Sequence, residues 1–66
     1  MTLHGVRPGV VAVRDGTGAT IATIEHRSGR ACLDCRTGGY WIIAGRQGHH
    51  HRAVHAFREV VMGNVV

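Results

Sequence analysis

Short apolar segments alternate with glycine-bearing turns over the first two thirds of the chain. Asp15-Gly16-Thr17-Gly18, Ser28-Gly29-Arg30 and Thr37-Gly38-Gly39 each have the composition of a tight turn, because glycine reaches positive φ without steric cost. Between them lie segments rich in Val, Ile and Thr, which predict strands over 9–14, 19–27, 31–36 and 40–44. Connections this short join antiparallel neighbours in a meander. A parallel sheet would need crossovers that the chain has no length to supply.

The period then changes. Ala53, Ala56, Phe57, Val60 and Val61 follow an i, i+3, i+4, i+7, i+8 spacing, which predicts one amphipathic helix over 49–62. Gly63-Asn64 suits its C-terminal stop. No Ser, Thr, Asp or Asn stands before it, which leaves Gly48 as the best available cap. Alternation along the strands places Val11, Val13, Ala22, Ile24, Ala31, Leu33 and Cys35 on the face that the helix covers. Thr23, Glu25, Arg27, Cys32, Asp34 and Arg36 fall on the other face. The fourth segment is apolar on both parities, so Tyr40 or Trp41 is expected to be partly exposed. Residues 5–9 read as a short arm leading into the first strand.

The expected fold is therefore α+β, a small antiparallel meander of three to four strands packed against one C-terminal helix. Residues 1–66 form a single small domain. This order of elements resembles the arm-type DNA-binding domains of tyrosine recombinases. The resemblance is one of architecture over most of the chain and attaches to no residue.

Length limits what such a domain can do. At 66 residues the chain buries only about 60% of the surface that its unfolded form exposes. A core of that size often needs a metal, a disulfide or a second copy, so a homodimer is a live possibility. The 44% apolar content and single proline indicate a globular chain rather than a disordered one. The runs Val10-Val11-Ala12-Val13 and Tyr40-Trp41-Ile42-Ile43-Ala44 are too short to span a bilayer. The N-terminus lacks the apolar core of a signal peptide. No membrane is expected among the partners, and the expected compartment is the cytoplasm.

Charge adds a direction. Eight arginines and no lysine stand against four acids, giving a formal net charge of +4. Arginine in place of lysine suits a GC-rich coding sequence, as in a GC-rich bacterium or its phage. A net positive field favours polyanions such as nucleic acid, although the same charge also keeps a small domain soluble.

Three constellations could carry chemistry. Cys32-Leu33-Asp34-Cys35 is a CxxC, and His51 and His55 stand at i, i+4 on the expected helix. A strand-borne CxxC followed by a helical HxxxH resembles the ββα layout of Cys₂His₂ zinc fingers, and zinc would stabilise so small a core. Against zinc, a continuous strand points Cys32 and Cys35 to opposite faces, and the finger's usual apolar spacing is not reproduced. The competing reading makes Cys35 a small core residue and Cys32 a surface thiol. No other cofactor is expected.

The second constellation is His49-His50-His51-Arg52 with His55 and Arg46, which lies where the helix is expected to begin. Free N–H groups and the positive end of the dipole suit phosphate there. The third is the outer sheet face, where Arg27 and Arg36 are placed to read base edges or phosphates, diluted by Glu25 and Asp34. For both, the plain alternative is a solvated surface of mixed charge.

Enzyme signatures are missing. Asp15-Gly16-Thr17-Gly18 lacks the GK[ST] ending of a phosphate loop and opens a strand. The single serine, Ser28, sits in an expected turn. Cys32 and Cys35 lack the helix-terminal setting of a thiol-redox pair. The sequence therefore points to a non-catalytic, basic binding module. Nucleic acid, most simply DNA, is the expected partner, contacted by Arg27, Arg36, Arg46, His49, His50 and Arg52. The alternative is a phage or bacterial accessory protein that binds and modulates another protein, with a homodimer as one form, anchored by Tyr40, Trp41 and the tail Val65-Val66.

Overall fold

The computed structural model describes residues 1–29 and 39–63. Four strands, β1 (Thr2–Arg7), β2 (Val10–Arg14), β3 (Thr20–Arg27) and β4 (Tyr40–Ile43), precede one helix, α1 (Ala53–Gly63). The strands form one antiparallel sheet in the order β1-β2-β3-β4. The expected small α+β meander under a C-terminal helix is what the chain adopts.

Its strand inventory differs at the N-terminal end. The expected arm over 5–9 is instead the end of β1 and the turn into β2. All six residues of β1 are exposed, so side-chain burial gave no sign of the strand. Backbone pairing holds it, with Leu3 opposite Val13 and Gly5 opposite Val11. Pro8-Gly9 makes the reversal, and Gly9 sits at φ 79°, the left-handed geometry of the third position of a type II turn. The expected strand over 31–36, with Ala31, Leu33 and Cys35 inward, lies outside the described residues. Among the described strands β3 pairs directly with β4, placing Ile24 opposite Ile43 and Arg27 opposite Tyr40.

Register decides which side chains meet the helix. Val13 pairs with Ala22, and Val11 with Ile24, so the expected inward set of β2 and β3 does share one face. Val13, Ile24 and Ile43 from the sheet are buried together with Ala56 and Val60 from the helix. Ala22, Trp41 and Phe57 pack around them. The small side chain at Ala56 lets the helix backbone come close to the sheet, and every methyl group on Val13, Ile24 and Val60 is removed from water. Ala12, also buried, lies on the opposite face between His4 and Thr23.

The helix starts four residues later than the sequence pattern predicts. His50 is drawn into a β-bridge with Trp41, in which each backbone N–H donates to the other residue's carbonyl at 2.7 Å. A residue held in extended pairing cannot also begin a helix. The Arg52 carbonyl then accepts the first bonds of α1, from the amides of His55 at 3.1 Å and Ala56 at 3.3 Å. The segment after β4 is thus a broad hairpin that turns at 44–48 and returns along β4 to His50.

Candidate functional site

Helical geometry sorts α1 into three faces, since each residue turns the direction by about 100°. Ala56 and Val60 point into the core. Phe57 and Val61 lie to one side of them. His55, Glu59 and Met62 lie to the other, against the hairpin that follows β4.

Between that flank and the hairpin runs an open groove of about 580 Å³. Arg46 and Gln47 line it from the hairpin turn. His55, Arg58 and Glu59 line it from the helix, with Met62 and Gly63 at the end. Arg46 reaches over the last turn of the helix: its guanidinium nitrogens stand 3.5 and 3.8 Å from where a Cβ on Gly63 would lie. Cationic groups are favoured there by the carbonyl-rich, negative end of the helix. Among the described residues Glu59 is the one acid in the lining, and its Oε2 is 3.2 Å from His50 Nε2. Two arginines and a histidine therefore face one concave surface, and the carboxylate described there already has a partner.

Arg46 is thus corrected from the start of the helix to its end. The hairpin carries it there, because the chain turns at 44–48 and comes back to His50 before the helix begins. Arg52 is the residue that does stand at the helix start, exposed. The two remaining members of the histidine set are half-buried. His49 sits edge-on to Tyr40 with ring centroids 6.0 Å apart, and 5.6 Å from the ring of His51. His50 is held by Trp41 and Glu59.

Arg27 belongs to a different surface. It shares the helix-free face of the sheet with Glu25, and its Nη2 is 3.3 Å from Glu25 Oε1. Arg36 lies outside the described residues. Arg27 is therefore not part of the set that lines the groove. Arg58, which is not among the expected nucleic-acid contacts, joins Arg46 and His55 in the groove. Its outward position on the helix, three residues from His55 and opposite the apolar stripe, was the available signal.

The two residues proposed as anchors for a protein partner are both half-buried. Trp41 packs on the core and meets His26 edge-on, with centroids 5.0 Å apart and planes at 64°. Val65 and Val66 lie outside the described residues.

The zinc set is divided. Cys32 and Cys35 lie outside the described residues. His51 precedes α1, so it does not share a helix face with His55 at the expected i, i+4 offset. Among the described residues no three His, Cys, Asp or Glu side chains come together as metal ligands would. No described helix is long and apolar enough to cross a membrane.

No protein-family model matches the chain, no curated protein matches its sequence and no solved structure matches its fold.

Proposed function

We propose that the protein is a non-catalytic nucleic-acid-binding module that holds its partner through the groove between the hairpin turn and α1. The observation that carries this reading is the convergence of Arg46 and Arg58, with His55, on one concave surface. Arginine presents a planar fork of donors that matches phosphate oxygens, and a concave basic surface concentrates polyanions near it. Arg52 extends the positive surface toward the helix start. His49 and His50 act here as supports for the hairpin. Arg27 and Arg36 remain candidates for a second contact on or near the sheet.

Binding of this kind is electrostatic and therefore weakens steeply with salt. The test is fluorescence anisotropy of a labelled 30-residue DNA, duplex and single-stranded, titrated with the protein from low to near-physiological salt. Binding that falls with salt and is lost at least tenfold in Arg46→Ala/Arg58→Ala supports the reading. No binding at low salt refutes it.

A second reading rests on β1. This strand forms one edge of the sheet, is exposed along its whole length and shows Leu3 and Val6 to solvent. An open edge can accept a strand from a protein partner or from a second copy. A mass measurement in solution separates these cases: a dimer that Val6→Lys dissociates supports self-pairing through β1.

A further inference from the structure

We infer, resting on the nucleic-acid reading above, that the groove grips the phosphodiester backbone of a duplex and reads no bases.

The first reason is the fate of the aromatic side chains. Sequence-tolerant binders of single strands stack bases on aromatic rings. This chain has one Trp, one Tyr and one Phe, and the structure describes all three. Trp41 and Phe57 pack on the core, and Tyr40 is half-buried against His49. None lines the groove, where among the described residues Met62 is the only large apolar side chain and His55 the only ring. The surface that gathers the cations thus has no stacking platform of the kind single strands use.

The second reason is length. Arg52 stands at the start of α1, Arg58 follows beyond its middle, and Arg46 covers its end. The 11 residues of the helix rise about 16 Å in all. That distance equals about five base-pair steps of 3.4 Å along one strand of a duplex. The cations are thus spread along the length of the helix, a span that a rigid, regularly charged backbone can match. Phosphate contacts set position along a duplex and carry no sequence information.

The test titrates the full chain against two 24-base-pair duplexes of permuted sequence and against dT24 and dA24 single strands, over a range of salt. The two duplexes are expected to bind within about threefold of each other, and both more tightly than either single strand. Three phosphate contacts give a slope of about −2.7 in log affinity against log salt for the duplex, and loss of two arginines leaves about −0.9. Arg46→Lys is measured beside Arg46→Ala, because Arg46 also covers the helix end; the lysine variant is expected to keep the slope. A tenfold preference for one duplex, or for single strands over duplexes, overturns the backbone-only mode while leaving nucleic-acid binding intact. Absence of binding to all four probes removes both.

Discussion

His50 and Glu59 join the returning hairpin to the helix, with Nε2 of one 3.2 Å from Oε2 of the other. The contact has two consequences. It anchors the hairpin whose turn carries Arg46, and it holds the Glu59 carboxylate at one wall of the groove. Since the two side chains are 21% and 47% exposed, the pair contributes about 0–1 kcal/mol to stability.

Glu59→Gln removes the negative charge while keeping a similar shape. Duplex DNA is expected to bind about two- to threefold more tightly at low ionic strength, with the difference fading as salt screens it. Anisotropy titrations of both proteins at two salt concentrations check this. Weaker binding by the glutamine variant would mean that Glu59 positions the cations rather than opposing the ligand.

Gly39 precedes β4 at φ 94°, and a Cβ placed there would overlap the Arg27 carbonyl oxygen and the His26 ring. Gly39→Ala therefore adds left-handed strain and a clash with backbone that cannot move aside. A loss of about 2–3 kcal/mol in unfolding free energy is expected, read by urea denaturation. By contrast, Gly16→Ala meets no neighbour and is expected to change stability by less than about 1 kcal/mol.

Val60 is fully buried between the helix and the sheet. Val60→Ala deletes two methyl groups from a core built of few large side chains, and is expected to cost about 2 kcal/mol. The same change at exposed Val54 should be close to neutral. Equal losses at both positions would contradict the helix orientation.

Asp15 closes the β2–β3 turn. One carboxylate oxygen accepts from the Thr17 hydroxyl at 2.6 Å, the Thr17 amide at 2.8 Å and the Ala19 amide at 3.1 Å. The Thr17 hydroxyl, followed by the Thr17 amide, holds this carboxyl below the ordinary aspartate range. A lowered folded-state value means that the stabilisation is complete above the unfolded-state value and is lost as pH falls through the folded one. The melting temperature of the wild-type protein should therefore drop below about pH 4. Asp15→Asn should melt lower at neutral pH and lose less on acidification. Melting curves from pH 2 to 7 decide it, and parallel acid profiles would contradict the assignment.

The local pattern of this chain carried much of its architecture. Alternation in Ala22-Thr23-Ile24, matched by Val11 and Val13 across the pair, selects the face that meets the helix, because a slip of one residue would turn the whole set away from it. The 3.6-residue spacing from Ala53 to Val61 makes the helix and names its inner face. Asp15-Gly16-Thr17-Gly18 carries its own hydrogen-bond acceptor and its own left-handed residue, so that turn is fixed locally. What tertiary structure decided was everything that depends on backbone pairing over a distance. β1 exists because β2 offers it hydrogen bonds, and its exposed side chains leave no periodic mark. His50 belongs to a bridge with Trp41 rather than to the helix, a choice between two uses of one backbone that the histidine run does not encode. That bridge sends Arg46 to the far end of α1, into the groove that Arg58 and His55 also line. The arginines themselves are plain in the sequence. Their meeting in one groove follows from where the chain reverses, and hydrogen bonds between residues remote from the groove determine that reversal.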